Sequence, residues 1–103
     1  MGNVLESRFQ RELIEDIRNR FVDSIVMKLD SGYKQGVPDL LILHGAKWAT
    51  LECKKNSTAT HQPNQDWYVN KMNGMSFSRF IYPENRDEVM QELISFFEDK
   101  ERT

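Results

Sequence analysis

The sequence is poor in residues that cross-link or interrupt a chain: its 103 residues include one cysteine, three prolines and five glycines. The single cysteine, Cys53, excludes an internal disulfide and a cysteine-based zinc site, and it fits a reducing cytoplasm. No apolar run approaches the ~20 residues that a membrane span needs. The N-terminal stretch "MGNVLESRFQRELIED" is polar and acidic, unlike a secretory signal. We therefore expect a cytoplasmic protein in which residues 1–103 form one domain.

The chain also lacks a strong net charge, which is −2 at pH 7 and argues weakly against a general nucleic-acid-binding protein. Apolar residues make up 39% and charged residues 29%, which is typical of a globular protein. The charges are uneven, because residues 28–55 hold five lysines against three acids, whereas residues 84–103 hold seven acids against three basic residues. A polyanion could therefore approach the middle of the chain while the C-terminal part faces away.

The apolar spacing predicts the order αβββαβα, a mixed sheet flanked by helices. The first helix carries apolar residues at every fourth position from Leu5 to Phe21. Pro63 is expected in the first turn of the second helix, and Asn85, with Glu88 three residues later, is expected to cap the last one. The predicted helices cover residues 4–22, 63–73 and 85–100, and the predicted strands cover residues 24–30, 38–44, 47–55 and 76–82.

Asp39, Glu52 and Lys54 are charged although they lie inside the most apolar part of the chain, "GVPDLLILHGAKWATLECKK", which has the pattern of a hairpin turning near Gly45. Side chains alternate across a strand, so Glu52 and Lys54 share one face, and an ordinary hairpin register brings Asp39 opposite them. Buried charges without partners are costly. A bound Mg²⁺ would relieve the carboxylates, and the backbone carbonyl of Cys53 could complete its ligands. The set indicates metal-assisted phosphodiester hydrolysis, in which Lys54 orients water or stabilises developing charge.

The segments "GVPDLLIL" and "WATLECKK" resemble the core of the PD-(D/E)xK nuclease superfamily, with Pro38-Asp39 and Glu52-Cys53-Lys54 in the motif positions. The following "HQPNQDWYVNKMNGMSFSRFIY" is similar to the VRR-NUC branch, which includes phage nucleases and is close to Holliday-junction resolvases. This resemblance spans most of residues 6–83 and implies a restriction-endonuclease-like αβββαβ core with an extra C-terminal helix. It also implies a Mg²⁺-dependent endonuclease, for which Mn²⁺ substitutes. Such an enzyme would cut branched or duplex DNA as a homodimer, in the host cytoplasm if it is phage-encoded.

The resemblance also places a glutamate on the first helix, where the sequence offers Glu6 and Glu12. At about 100° per residue, Glu6 falls in the middle of the apolar face and Glu12 at its edge, which favours Glu6. The family has a glutamine after the strand that carries Glu52, and we assign it to Gln65, with Gln62 as the alternative. The candidate catalytic residues are Glu6, Asp39, Glu52, Lys54 and Gln65, and the candidate metal ligands are Glu6, Asp39, Glu52 and the carbonyl of Cys53.

Two polar segments flank the motif strands and are candidate DNA contacts: Tyr33, Lys34 and Gln35 on one side, and Lys55, Asn56 and Ser57 on the other. Trp67 and Tyr68 could stack on bases, although aromatics on an amphipathic helix more often belong to the core. We see no extra recognition loops, so we favour structure-selective cutting, as by a Holliday-junction resolvase. The alternatives are a sequence-specific homing or restriction-type endonuclease and a non-catalytic DNA-binding domain of the same fold.

Overall fold

A computed structural model describes residues 4–99, which form three helices and four strands in the predicted αβββαβα order. The elements are α1 (Val4–Arg20), β1 (Ile25–Lys28), β2 (Leu40–His44), β3 (Lys47–Cys53), α2 (Gln65–Met75), β4 (Ser78–Ile81) and α3 (Arg86–Glu98). Among residues 4–99, no helix is both long and apolar enough to cross a membrane.

The four strands form one mixed sheet in the order β1-β2-β3-β4. The first three strands are antiparallel neighbours, and β2 and β3 form the predicted hairpin, in which His44 pairs with Lys47. Strand β4 runs parallel to β3, as the crossover through α2 requires. The predicted fold class, a mixed sheet flanked by helices, is confirmed.

The hydrophobic core lies between one face of the sheet and the helices α1 and α3. Leu13 and Ile17 of α1 are completely buried there, as is Leu93 of α3. Each such side chain stabilises the fold by about 1.5–3 kcal/mol. The sheet contributes the alternate residues that share this face, Val26, Leu40, Ile42, Ala49, Leu51, Cys53 and Ile81.

Helix α2 lies on the opposite face of the sheet, which is more polar. The hydroxyl of Thr50 in β3 donates to the hydroxyl of Ser78 in β4 at 2.7 Å and also contacts the sulfur of Met72 in α2 at 3.5 Å. Thr50 is separated from Glu52 and Lys54 by an even number of positions, so the side chains of these two charged residues face α2 rather than the core.

One predicted helix start and one predicted capping contact differ from the structure. Helix α2 begins at Gln65 rather than Pro63, because Asn64 adopts a left-handed backbone conformation with φ 72°. Asn85 does precede α3, but its side chain does not cap the helix, so the capping box with Glu88 is wrong. Instead, the Asn85 side chain accepts a hydrogen bond from the Tyr82 N–H at 2.8 Å and closes the turn after β4.

Gly36 holds the loop before β2 against the residues that precede α2. Its φ is +94°, and a Cβ there would lie 2.6 Å from the Cβ of Asn64 and 2.9 Å from the carbonyl oxygen of Pro63. We expect Gly36→Ala to lower the free energy of unfolding by about 1–3 kcal/mol, measured by urea denaturation. Gly74→Ala is the matched control, because the added Cβ would meet nothing within 4 Å beyond its chain neighbours and its own helix backbone, and α2 should gain about 0.5–1 kcal/mol. Equal urea midpoints for the two variants would contradict the close contact at Gly36.

Candidate active site

Asp39 lies immediately before β2 and is tied to the end of β3. Leu40 pairs with Leu51, so the antiparallel register brings Asp39 opposite Glu52. One carboxylate oxygen of Asp39, Oδ2, accepts a hydrogen bond from the backbone N–H of Cys53 at 2.9 Å. The predicted approach of Asp39 to the Glu52–Lys54 segment is therefore present in the structure.

Glu52 and Lys54 are both buried, with only 4% and 6% of their surface exposed, and Gln65 connects them. The ammonium of Lys54 donates to Gln65 Oε1 at 2.7 Å, and Gln65 Nε2 donates to Glu52 Oε2 at 2.8 Å. The ammonium also donates to the carbonyl of Thr60 at 3.1 Å, and it lies 4.0 Å from Glu52 Oε2. Gln65, the first residue of α2, therefore fixes the positions of both charged groups.

The second carboxylate oxygen of Glu52, Oε1, is buried and has no hydrogen-bond partner among residues 4–99. Burial, followed by repulsion from Asp39, raises the pKa of Glu52 to about 8, even though Lys54 opposes the shift. The backbone N–H of Asp39 also lowers this pKa, and its effect is the smallest of these. Burial also raises the pKa of Asp39, against the hydrogen bond from Cys53. A positive charge placed beside Oε1 would stabilise the ionised form of both acids.

Glu6, in the first turn of α1, faces the same cleft. Its pKa is raised by burial first and by repulsion from Asp39 second. Glu12 points elsewhere, since it is exposed and lies 3.7 Å from the guanidinium of Arg8. The helical-wheel preference for Glu6 over Glu12 thus matches the placement of the two side chains. The cleft has a volume of about 400 Å³ and is lined by Glu6, Asp39, Glu52, Lys54, Lys55, Ala59, Thr60, Gln62 and Gln65.

The predicted DNA contacts after β3, Lys55, Asn56 and Ser57, lie in three different surroundings. Lys55 is exposed at the cleft. Asn56 accepts hydrogen bonds from the N–H and hydroxyl of Thr58. The N–H and hydroxyl of Ser57 donate to the carboxylate of Glu84 at 3.2 Å, and these donors hold the pKa of Glu84 below its usual range. An acid next to Ser57 disfavours a phosphate at that position.

The segment before α2 also contains contacts that the sequence pattern does not indicate. Thr60 contributes its backbone carbonyl to Lys54, which no side-chain motif could reveal. His61 stacks on Phe80 of β4, with ring centroids 4.2 Å apart, and its Nδ1 lies 2.8 Å from the carboxylate of Asp66. These contacts fix the loop over the Lys54–Gln65 pair.

No protein-family model matches the sequence, and no curated protein matches it significantly. Among solved structures, a VRR_NUC domain protein superimposes with a TM-score of 0.69 and 18% sequence identity over 93% of each chain. The chain shares the VRR_NUC fold. At this identity the likeness concerns the arrangement of the helices and strands, and it supports the fold predicted from the sequence.

Within this VRR_NUC fold, three acidic side chains and two lysines line one cleft. Among residues 4–99, no three His, Cys, Asp or Glu side chains already lie close enough together to enclose an ion. Asp39 nevertheless raises the pKa values of Glu6 and Glu52, and one buried oxygen of Glu52 has no partner in the described chain. Carboxylate and carbonyl oxygens of this kind suit a hard divalent cation such as Mg²⁺.

Proposed function

We propose that the protein is a metal-dependent DNA endonuclease that hydrolyses phosphodiester bonds. The observation that carries this proposal is the buried Glu52–Gln65–Lys54 network, which opens on a cleft shared with Asp39 and Glu6. Buried charges of this kind cost folding free energy, so a purely structural role does not account for them. The likeness to a VRR_NUC domain protein, whose name refers to a nuclease domain, supports the same reaction class.

The cation would be held by Glu6, Asp39 and Glu52, together with the backbone carbonyl of Cys53. Mg²⁺ suits these oxygen ligands, and Mn²⁺ is expected to substitute for it. The unpartnered Oε1 of Glu52 and the raised pKa values of the acids support this assignment, because a cation would offset the repulsion between them. When bound, the metal would lower the pKa of a coordinated water and polarise a phosphate oxygen.

Lys54 acts on the phosphate side of the cleft. Gln65 and the Thr60 carbonyl accept hydrogen bonds from its ammonium and so fix its position before DNA binds. A preoriented ammonium can hold the attacking water or stabilise charge that develops on the phosphate oxygens. Gln65 is a positioning residue, since it acts through Lys54 and Glu52.

The proposed substrate is DNA recognised by its structure, with the branched junction as the first candidate. The longest connections within residues 4–99 are residues 29–39 and 54–64, with eleven residues each, which leaves little surface for reading a long sequence. We also propose a homodimer, which would present two active sites to opposed strands. The exposed apolar side chains of Ile25 and Met27 on the edge strand β1, beside the exposed Val22, offer a surface for a second copy.

The test is cleavage of labelled four-way junction, plain duplex and single-stranded DNA by the wild-type protein, with Mg²⁺, with Mn²⁺ and with EDTA. We expect cutting of the junction in either metal and none in EDTA. Equal cutting of all three substrates would support the nuclease activity but contradict the selectivity for DNA structure. Cutting at one sequence would favour a restriction-type enzyme. Metal-independent DNA binding without any cutting would indicate a non-catalytic DNA-binding domain and contradict the proposal.

A further inference from the structure

A second cavity lies beside the active-site cleft, and its walls differ in chemistry from those of the cleft. It has a volume of about 520 Å³ and is lined by Leu29, Asp30, Tyr33, Lys34, Val37 and Tyr68. Two tyrosine rings and two aliphatic side chains form most of this lining, and none of the cleft acids belongs to it. The cavity is therefore suited to a flat, apolar group rather than to a phosphate or a metal ion.

Two walls of the cavity are connected to residues of the active site. Tyr68 follows Gln65 by three positions on α2. The two side chains therefore share one helix face, with their Cβ atoms about 5–6 Å apart. On the other wall, the N–H of Leu29 donates to the carbonyl of Asp39 at 2.8 Å. A DNA strand whose phosphate lies at Asp39 and Glu52 would therefore have a neighbouring nucleotide within reach of this cavity.

The wall that carries Tyr33 is held in place although Tyr33 itself is exposed. Gly36 lies against Pro63 and Asn64, which anchors the loop to the start of α2. At the other end, the Asp30 carboxylate accepts a hydrogen bond from the Gly32 N–H at 2.8 Å and stabilises the turn. The loop is thus braced at both ends.

Tyr33 is the side chain whose exposure the fold does not explain. Its exposed fraction is 86%, the largest among the exposed large hydrophobic residues, although it sits at the rim of an apolar cavity. Tyr68, on the facing wall, is half-buried and is supported edge-on by Trp67, with ring centroids 4.9 Å apart. One ring is thus fixed by its neighbours, and the other is open to a ligand.

We propose that this cavity binds an unpaired nucleobase of the DNA, one that lies next to the scissile phosphate. The proposal rests on the proposed nuclease function and gives it a source of selectivity. Aromatic faces stack on every base, so the site would tolerate any sequence. Lys34, at the rim, is placed to meet the phosphate of the same nucleotide. A base within intact duplex stays stacked, so this site favours branch points, where bases can be unpaired.

The sequence-based assignment of Tyr33 changes accordingly. The pattern "SGYKQG" predicts a polar loop that contacts the DNA backbone, and Lys34 keeps that expected role. Tyr33 lines an apolar cavity, so its expected contact is the base and not the phosphate.

The experiment is a binding measurement that separates the base from the backbone. Equilibrium affinity is measured in the Lys54→Ala background, where cutting is slow, and again in wild type with EDTA. The probes are a branched DNA, the same DNA with one abasic nucleotide moved stepwise through the branch, and a perfect duplex. Tyr33→Ala is expected to weaken binding to the branched DNA roughly tenfold. Tyr33→Phe, which keeps the ring, and binding to perfect duplex should each change by no more than about twofold.

The decisive result is the combination of the variant with the abasic probe. At one position the abasic nucleotide should cost as much affinity as Tyr33→Ala, and the two changes together should cost no more than either alone. Equal losses with normal and abasic DNA at every position would overturn the base site and leave Tyr33 as a backbone contact. A monomer–dimer shift on Tyr33→Ala, seen by sedimentation, would instead assign the cavity to self-association. Wild-type cleavage is measured separately, so a failed nuclease and a failed base site give different results.

Discussion

Replacing Lys54 with alanine is expected to lower the single-turnover rate of DNA cleavage by about 10²–10³-fold, the cost of removing one preoriented donor to a developing charge. Lys54 is only 6% exposed, and its ammonium is fixed by hydrogen bonds of 2.7 Å to Gln65 and 3.1 Å to the Thr60 carbonyl. No reorganisation of this group is needed when the phosphate acquires charge. The loss should therefore appear in the rate at saturating DNA and Mg²⁺ rather than in DNA affinity.

Lys55→Ala provides the matched control, because it removes the same charge from the next residue. Lys55 is exposed and lines the cleft. We expect this variant to bind DNA more weakly, with a smaller dependence of affinity on salt, and to cut at nearly the wild-type rate once saturated. Equal losses of rate in the two variants would show that only the positive potential of the cleft matters, which would contradict the specific role of Lys54. A thermal melt of each variant excludes unfolding as the cause.

The arrangement of the strands and the meeting of the charged residues could be predicted from the sequence. The period-two alternation of the hairpin allows one register that buries its apolar face, and a slip by one residue would expose it. That register pairs Leu40 with Leu51 and so brings Asp39 to Glu52. Glu6 follows from the helix period in the same way, since Phe9, Leu13 and Ile17 are buried.

The details that could not be predicted depend on contacts that the residue type alone does not indicate. The start of α2 is set by Asn64, whose left-handed conformation accompanies the contact with Gly36. Pro63 therefore lies outside the helix, although its local preference suits a first turn. Asn85 has the residue type of a helix cap, but its side chain bonds to the Tyr82 N–H and the Phe80 carbonyl instead. At Asn64 a contact with a distant segment outweighs the local preference, and at Asn85 the turn after β4 uses the side chain that would cap the helix.

The role of Gln65 could be predicted only in part from the sequence. The sequence leaves Gln62 as an alternative, because spacing alone does not fix the register of a loop. In the structure, the Gln65 side chain joins Lys54 to Glu52, and its Oε1 also accepts the Gln62 N–H at 2.8 Å. Gln62 thus supports the network through its backbone, which a pattern of side chains cannot indicate.

Glu52→Gln is expected to stop cleavage and, at the same time, to stabilise the metal-free protein at alkaline pH. The amide has the same shape as the carboxylate and can still accept the hydrogen bond from Gln65 Nε2. It removes a negative charge that burial and Asp39 disfavour, as the raised pKa of about 8 indicates. Each unit of pKa difference corresponds to about 1.4 kcal/mol. Part of the shift comes from repulsion by Asp39, so we expect less than the whole shift would give. The free energy of unfolding above pH 8 should rise by roughly 1–3 kcal/mol.

The pH dependence gives the sign of this effect. The pKa of Glu52 rises from 4.5, taken for the unfolded chain, to about 8 in the folded protein. Below pH 4.5 the side chain is protonated in both states, so its stabilising contribution is fully present. Between pH 4.5 and 8 the unfolded chain releases the proton while the folded protein retains it, and the contribution falls as the pH rises. The difference in Tm between Glu52→Gln and wild type, measured in EDTA, should therefore increase from pH 5 to pH 8.

Mg²⁺ provides the second half of the test, because a ligand that binds only the folded state raises its Tm. At pH 8, Mg²⁺ is expected to raise the Tm of wild type and to have little effect on Glu52→Gln, which lacks the negative charge that attracts the cation. Glu12→Gln is the control, since Glu12 is exposed on α1 and pairs only with Arg8 among the ion pairs of residues 4–99. The Tm of Glu12→Gln should change with pH and with Mg²⁺ as the Tm of wild type does. A Tm difference for Glu52→Gln that is independent of pH would show that Glu52 carries no shifted proton. An equal response of both Gln variants to Mg²⁺ would show that the cation is bound elsewhere.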